Sequence, residues 1–265
     1  VSWGFDDENP SARDAEGNRP HYSGSTDKYA IPNAGACLLC HGGDDREAGT
    51  APIGPKVRNL NRDNVYGGQS INQLAHMQSL GLLDLPAGKT PAQLLAMPAW
   101  NVPGSGGETA GSPLDKHQRA RAFLEVNCMH CHNPAGGAQN SGLRLDAFTS
   151  PLGTNHGICK PPIAAGKGAD SGTYDIQPGD SSISILPNRV ASTEAGIKMP
   201  PTARSVMQTE AVNLLTDWVD TVLTLEGYTV PDDSKCVGGA TGGTLPVPLM
   251  APPVVPAKVR PAPWG

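Results

Sequence analysis

The spacing of apolar residues predicts two amphipathic helices in the second half of the chain. One covers 205–225, where apolar residues recur with a period near 3.6; they are Val206, Ala211, Leu214, Leu215, Trp218, Val219 and Val222. The other covers 112–127, with Ser112 or Asp115 as its cap and an apolar stripe of Leu114, Ala120, Ala122, Phe123 and Val126. A third, shorter helical pattern lies at 70–83. We therefore expect a mostly α-helical fold with extensive coil.

Both ends of the chain lack this periodicity. Residues 1–30 are polar and residues 237–265 are rich in Pro and Gly, so both are predicted to be extended segments. Between them we expect two modules, at 31–111 and 112–236. The C-terminal tail lies either along its own globule or against a neighbouring copy or partner, as extended peptides do in strand addition. The second arrangement would produce a homo-oligomer or a filament.

The composition predicts a thin core. Only 38% of the residues are hydrophobic, while 32 Gly and 26 Pro approach the content of a low-complexity chain. Such a chain either stays loose or wraps around a large apolar cofactor. The net charge of −5, without clustered Lys and Arg, argues against nucleic-acid binding. The longest apolar runs fall short of the roughly 20 residues that span a bilayer, so no transmembrane segment is expected.

Four of the six cysteines form two C-x-x-C-H units. The units consist of Cys37, Cys40 and His41 in "CLLCH", and of Cys128, Cys131 and His132 in "CMHCH". This pattern is the signature of covalent haem attachment. Because two copies in one chain arise by chance far more rarely than one, the sequence predicts two haem sites.

Three other chemistries also use paired cysteines. A zinc ribbon places its C-x-x-C pairs about 15–20 residues apart, whereas 87 residues separate Cys40 from Cys128. A thioredoxin-like dithiol follows a strand in a βαβ pattern, and no Val/Ile-rich strand precedes either motif. Ordinary disulfides do not explain why a histidine follows each pair. Haem attachment is therefore the favoured interpretation, with these three as alternatives.

The order of residues in each motif suits thioether chemistry. Two thiols on one helical turn can each add to a vinyl group of one porphyrin, and the adjacent His then lies under the iron as the proximal ligand. His130 lies between the two thiols of the second motif, where it cannot reach the same iron from the same face. We predict that His130 takes no part in ligation.

Covalent haem of this kind belongs to secreted compartments. The chain begins at Val1 without a Met, as we expect of a mature protein whose signal peptide has been removed. We therefore predict a periplasmic or extracellular location. Because leftover thiols outside the cytosol usually pair, Cys159 and Cys236 are predicted to form a disulfide.

An electron-carrying haem needs a sixth ligand as well. Met199 precedes two prolines in "GIKMPPTARS", in a loop before the helix at 205–225, and is the candidate for the second haem. Met97 repeats the Met-Pro arrangement in "LLAMPAW", 56 positions after the histidine of the first motif, where the second gap is 67. Met97 is thus the candidate for the first haem, and His76, Met77 and an open site are its alternatives.

With these motifs the chain resembles a diheme c-type cytochrome built from two cytochrome c modules, and more closely a family of secreted bacterial diheme proteins. The resemblance covers about 31–227 and rests on "IPNAGACLLCHGG", "PIGPKVRNLN", "NQL", "RARAFLEVNCMHCHNPAGGAQNSGLRLD", "GICKPP", "PGDSSISILPNRV" and "KMPP". It implies two covalently bound haem c groups, with His132 and Met199 as ligands of the second. It also implies that Arg189 contacts a propionate.

Three functions suit a chain with two haems. The favoured one is electron transfer between redox partner proteins outside the cytoplasm, alone or as the repeating subunit of a haem-bearing assembly. The second is a diheme peroxidase-like enzyme with one open haem, for which Glu108, Asp115 and His117 are the candidate acid–base residues. The third is a docking subunit whose haems feed an enzyme formed by another chain. The Met-Pro pair in each half favours the first, so no catalytic residue is assigned.

Overall fold

The computed structural model describes residues 34–42, 52–98, 107, 109–149, 152–164, 166–202, 204 and 206–225. Of these residues 43% are helical, with little strand and extensive coil between the helices. The two predicted terminal segments, 1–30 and 237–265, lie outside the described residues. The expectation of a mostly α-helical fold is therefore met in part: the chain is helical and coil-rich, but less helical than predicted.

The described residues of the first half form three short α-helices, one hairpin and a 3₁₀ turn at Pro91–Gln93. Their bounds are Ala34–His41 (α1), Val57–Leu60 (α2), Asp63–Tyr66 (β1), Gln69–Asn72 (β2) and Gln73–Ser79 (α3). Strands β1 and β2 pair antiparallel, with Asp63 opposite Asn72 and Tyr66 opposite Gln69. The turn between them is Gly67-Gly68, at φ 57° and 82°. A two-residue turn with two positive φ angles is the one whose twist matches a hairpin, and glycine adopts it without strain.

The hairpin corrects the helix predicted over 70–83. Residues 70–72 belong to β2, and the helix begins at Gln73 and ends at Ser79. Asn72 ends the strand and starts the helix, because its side-chain oxygen accepts hydrogen bonds from the backbone N–H groups of Leu74 and Ala75. The glycine turn overrides the weak helical pattern by letting residues 69–72 fold back onto 63–66.

A polar residue lies at the centre of the first half. The side chain of Asn61, 7% exposed, donates to the carbonyl oxygens of Pro91 (2.8 Å), Leu94 (2.9 Å) and Leu95 (3.2 Å). Its own oxygen accepts from the side-chain nitrogen of Asn72 at 2.9 Å. These bonds tie the segment after α3 to the loop between α2 and β1.

The long helix Pro113–Asn127 (α4) begins where the sequence predicts. Ser112 is the N-cap, and both proposed caps take part: the backbone N–H of Asp115 donates to the Ser112 hydroxyl, and the Ser112 N–H donates to the Asp115 carboxylate at 2.9 Å. This reciprocal pair is a capping box, which satisfies donors that the first turn leaves open. Burial of the helix is greatest over its middle and last turns.

The second half builds the main hydrophobic core. Its helices are Ile185–Ala191 (α5), Thr209–Asp217 (α6) and Leu223–Leu225 (α7), with one π-helical turn at Trp218–Val222 joining the last two. The core cluster draws its apolar side chains from α4, from the loops at 145–176 and from these helices. The helix predicted over 205–225 therefore exists but begins at Thr209, and Val206 is 48% exposed instead of belonging to the buried stripe.

The two halves meet on α4. Glu125, fully buried, binds Arg58 and lies 3.3 Å from the ammonium group of Lys56. Burial, with the neighbouring Arg58 charge, lowers the pKa of Lys56 to about 8. The Arg58 guanidinium also lies 4.9 Å from the centre of the Phe148 ring, within the range of a cation–π contact. These contacts with Glu125 therefore join the segment 56–58 to α4.

No helix among the described residues is both long enough and apolar enough to cross a membrane.

Candidate functional site

The second C-x-x-C-H motif begins where α4 ends. Cys128 is the C-cap residue, and its N–H donates to the carbonyl oxygen of Leu124 at 2.9 Å. One further turn follows, in which the N–H groups of Cys131 and His132 donate to the Cys128 carbonyl oxygen at 3.1 and 2.8 Å. Both thiols and the imidazole therefore lie on one turn fixed to the end of a long helix, as thioether attachment and axial ligation require.

This turn forms one wall of a cavity that is lined by all five predicted second-site residues. Cys128, Cys131, His132, Arg189 and Met199 all line it. Most of the remaining wall is apolar and includes Leu143, Leu145, Ile163, Ile185, Leu186 and Val190. The cavity contains about 940 Å³ of space free of protein atoms, part of it open to solvent. Apolar walls with a few placed polar groups are typical of a cofactor site.

The ring of His132 is oriented by Ser141. Nδ1 of His132 lies 3.0 Å from the Ser141 hydroxyl oxygen, and that hydroxyl lies 2.7 Å from the carbonyl oxygen of Ala138. Since a serine hydroxyl has a single proton and the carbonyl can only accept, Ser141 donates to Ala138 and accepts from His132. Nδ1 therefore carries the proton, and the Nε2 lone pair is the one available to a metal.

His132 is also kept in its neutral form. Burial lowers its pKa to about 4, and the positive charges of Arg189, His130 and Lys160 act in the same direction. A neutral imidazole with its outer nitrogen fixed by a hydrogen bond is the form in which histidine ligates metals. At neutral pH the site therefore presents His132 as a ligand without the cost of removing a proton.

The Met199 loop is held to α5 by Arg189. The Met199 N–H donates to the Arg189 carbonyl oxygen at 2.9 Å, and the Arg189 side-chain Nε donates to the Ile197 carbonyl oxygen at 2.8 Å. Gly168 makes room for the guanidinium, because a Cβ there would lie 2.7 Å from its central carbon. Arg189 thus both fixes the methionine loop and lines the cavity.

Three charged side chains lie together at this cavity. Asp175 lines it beside Arg189, and Lys160 binds the Asp175 carboxylate at 2.8 Å. Burial raises the pKa of Asp175, although the bond from Lys160 opposes the rise. With Asp175 ionised the trio carries one net positive charge, which favours an anionic ligand group such as a propionate.

The first motif lies on one short helix. Cys37, Cys40 and His41 all belong to α1, which ends at His41. The last turn of this helix contacts the second motif: the Cys40 and Cys131 sulfurs are 2.9 Å apart. His130 joins them, and the ligating atoms of Cys40, His130 and Cys131 lie within 4.8 Å of one another. Hydrogen bonds from Cys131 and His130 lower the pKa of Cys40 to about 5.

No described contact joins the first motif to any of the three candidates for the sixth ligand of its iron. Met97 lines a separate cavity formed by α2, the start of α3 and α4, and its N–H donates to the Arg58 carbonyl oxygen. The described lining of that cavity includes none of the first-motif residues. His76 stacks on the Tyr66 ring at 3.8 Å, and Met77 is half-buried on the same helix. The sixth ligand of the first site stays a prediction.

The remaining sequence candidates have mainly structural roles. Cys159 is disulfide-bonded, and Cys236, its predicted partner, lies outside the described residues. Of the acid–base candidates, Asp115 caps α4, and His117 is buried and accepts a hydrogen bond from the Trp218 indole at 3.2 Å. Neither of these two lines the cavity at the second motif. Glu108 lies outside the described residues.

The donor set at the second motif fits a covalently bound haem. It combines two thiols, a neutral imidazole with a fixed tautomer, a thioether sulfur and a guanidinium around an apolar cavity. Sequence reasoning missed Ser141 and the Lys160–Asp175 pair. Ser141 ends a short 3₁₀ turn before Gly142 (φ 69°), so the turn was predictable, but its contact with His132 was not.

No protein-family model, no curated protein and no solved structure matches this chain.

Proposed function

We propose that this protein is a diheme c-type cytochrome that transfers electrons between redox partner proteins outside the cytoplasm. The observation that supports it best is the convergence of the second motif and Met199, 67 positions apart in the chain, on one cavity. When bound, each haem c would supply an iron that gains and loses one electron. The protein's part is to anchor the ring, ligate the iron and exclude water.

Each residue of the second site has a defined part in this proposal. Cys128 and Cys131 anchor the ring through thioether bonds, and His132 offers Nε2 because Ser141 holds the proton on Nδ1. Met199 offers its sulfur from a loop fixed to α5. A His–Met ligand pair raises the reduction potential relative to other pairs. Arg189 faces the acidic groups of the ring, and Cys37, Cys40 and His41 have the corresponding parts at the first site.

Electron transfer is favoured over peroxidase-like catalysis by Met199. Met199 lines the same cavity as His132 and would serve as the sixth ligand of a bound haem iron, whereas a peroxidase keeps that position open. The acid–base candidates Asp115 and His117 are occupied by a helix cap and by Trp218. Peroxidase activity remains the alternative function, restricted to the first site, whose sixth ligand is a prediction.

A metal site formed by Cys40, His130 and Cys131 is the competing interpretation of the cluster between the motifs. Three such ligands plus water could hold zinc. That interpretation uses one thiol of each motif and leaves Cys37, Cys128 and both motif histidines without a role. Haem attachment accounts for all six motif residues, so we retain it, with His130 outside the ligand set.

Haem stoichiometry tests the proposal. The full chain, secreted from a host with a cytochrome c maturation system, should contain two covalent haems by intact mass and pyridine haemochrome spectrum. The double variant Cys128→Ala/Cys131→Ala should contain one, and so should Cys37→Ala/Cys40→Ala. A chain that leaves such a host without haem, or with bound zinc in its place, would overturn the proposal.

The location and the assembly belong to the same proposal. Cys159 is disulfide-bonded, which supports an oxidising compartment, and its pairing with Cys236 stays a prediction. Assembly through the terminal segments concerns residues outside those described. Light scattering on the full chain and on a chain ending at Cys236 would compare their particle sizes, and equal sizes would contradict assembly through the tail.

A further inference from the structure

The two haem motifs touch each other through the last turn of α1. The Cys131 sulfur lies 2.9 Å from the Cys40 sulfur and 3.3 Å from the Leu39 carbonyl oxygen. Gly137 makes this approach possible, because a Cβ at that position would clash with the Leu39 carbonyl oxygen. The contact therefore depends on backbone packing, not on the side chains of the two cysteines alone.

Both sulfurs are free and partly accessible. Cys40 and Cys131 are half-buried thiols without a covalent partner. A disulfide has a sulfur–sulfur length of about 2.05 Å, so closing it here needs an approach of about 1 Å. Cys128, the other thiol of the second motif, packs against the hydrophobic core cluster. The two thiols that the described contacts bring closest to disulfide distance therefore belong to different motifs.

We propose that, before haem is attached, Cys40 and Cys131 are oxidised to a single disulfide that links the two motifs. The oxidant is a small disulfide such as oxidised glutathione. One thiolate attacks it and forms a mixed disulfide with release of one thiol, and the second thiolate then displaces the other. The two cysteines lose two electrons and two protons, and the oxidant gains them as two thiols.

The consequence for haem loading rests on the proposed function. Cys40 and Cys131 are each the second thiol of their motif, so one disulfide removes a thioether anchor from both sites at once. A chain with this disulfide cannot form all four thioether bonds to the two haems until the disulfide is reduced. The cross-motif disulfide therefore makes loading of the two sites depend on one reduction step.

Disulfide mapping on the full chain without haem tests the inference. The folded chain is treated with oxidised glutathione, alkylated and digested with trypsin. The motif cysteines fall on peptides 29–46 and 122–144. We expect these two peptides to be joined, and the link to disappear in Cys40→Ser and in Cys131→Ser. Disulfides within each peptide, or four alkylated cysteines, would overturn the inference.

A pair of glycine variants tests the role of the backbone contact. Gly137→Ala should slow the cross-link by about tenfold, because it pushes the two motifs apart and lowers the effective concentration of the thiols. Gly153→Ala is the matched control, since a Cβ there meets no atom within 4 Å. Equal rates in both variants would contradict the inference, and circular dichroism checks that both fold.

A loading assay separates this inference from the proposed function. The reduced and the oxidised chain are each incubated with ferrous haem, and thioether formation is followed by mass. Failure of the reduced chain to take up haem counts against the proposed function. If the chain takes up haem when it is reduced but does not form the cross-link when it is treated with oxidised glutathione, the result counts against the disulfide alone.

Discussion

The two halves of the protein carry the same five-residue pattern in different surroundings. The second motif lies at the end of a 15-residue helix, beside a large core, and shares its cavity with Met199. The first lies on an eight-residue helix that contacts the second motif and contributes Cys40 to the same cavity, while Met97 lines another cavity. Among the described apolar residues before position 99, only Leu74 is fully buried.

This difference shows what each part of a haem site requires. A C-x-x-C-H motif is local, so a single helical turn positions its thiols and histidine. A sixth ligand is distant in sequence, and its position depends on how the rest of the module packs. In the second half Arg189 of α5 fixes the Met199 loop, whereas in the described first half the hydrogen bonds of Asn61 and the ion pairs with Glu125 hold the segments together.

Replacing the two candidate methionines gives the largest expected contrast. Met199→Leu should remove the sulfur ligand of the second haem, change its spin state and lower its potential by on the order of 0.1 V, since axial ligands set haem potentials over about 0.8 V. Met97→Leu should leave the second haem unchanged. Redox titration and EPR of the oxidised protein measure both. If the second haem of Met199→Leu keeps its potential and its EPR spectrum, the contrast between the two methionines is contradicted.

The core of the second half is tested by Leu214→Ala. Leu214 is fully buried in the main cluster, so the change should lower the free energy of unfolding by about 2–5 kcal/mol. Leu82→Ala, at a side chain that is 66% exposed in the first half, should change it by less than about 0.5 kcal/mol. Urea denaturation of the haem-loaded protein compares the two. Similar losses would mean that the halves do not differ in this way.

Ser141→Ala tests how His132 is held. The change leaves the Nδ1 proton without its acceptor, and loss of such a partner typically costs 10–100-fold in metal affinity, or about 1.4–2.7 kcal/mol. We expect a higher potential for the second haem, because an imidazole without this acceptor is less basic and stabilises the ferric iron less, and faster displacement of its ligands by imidazole. Ser141→Thr keeps the hydroxyl and should restore both. A Thr variant that behaves like the Ala variant would point to packing instead.

Asn61→Ala tests the polar centre of the first half. It removes the side-chain hydrogen bonds to three backbone carbonyl groups and the bond from the Asn72 amide, and should cost about 1–3 kcal/mol. Hydrogen exchange should rise in the segment 58–98 and stay unchanged in α6. Asn64→Ala removes one exposed, local bond and is the control. Equally faster hydrogen exchange in both halves would contradict the conclusion that Asn61 stabilises the first half alone.

The smallest effect concerns pH and a buried histidine of the second half. Burial lowers the pKa of His156 to about 3, helped by the charge of Arg121. Its ordinary value is about 6.5, so the unfolded chain binds the proton first. The contribution of neutral His156 is complete above pH 6.5 and is lost as the pH falls below it, by at most about 1.4 kcal/mol per unit.

His156→Gln isolates this contribution. The variant should show a flatter fall in the free energy of unfolding between pH 6.5 and 5 than the parent protein. The carboxyl groups of Asp115 and Asp146, whose pKa values are lowered, add their own losses at more acidic pH. Equal slopes for the variant and the parent in this window would contradict the assignment.

The sequence predicted those features of the fold that depend on local patterns. The helix at 112–127, its Ser112 cap and most of the helix at 205–225 are confirmed, because helical periodicity and capping are local properties. The hairpin was missed, although Gly67-Gly68 is a strong turn signal. The weak helical pattern after it was extended too far towards the N-terminus.

The sequence predicted only those parts of the candidate site whose residue types and spacing are themselves typical of haem attachment. Cysteine and histidine spacing located both motifs, and Met-Pro located the Met199 loop. The contact between Cys40 and Cys131, the bond from His132 to Ser141 and the Asn61 centre join residues whose approach is set by tertiary packing. No periodicity or spacing in the chain encodes such contacts.

The ligation of the second iron by Met199 is the central claim, and methyl NMR of the reduced, haem-loaded protein tests it most directly. With the six methionines labelled on their methyl carbons, a methyl group bound to haem iron lies over the porphyrin and shifts far upfield. We predict such a signal that disappears in Met199→Leu and persists in Met97→Leu. A Met199 methyl signal at the ordinary methionine position in the haem-loaded protein would contradict the account.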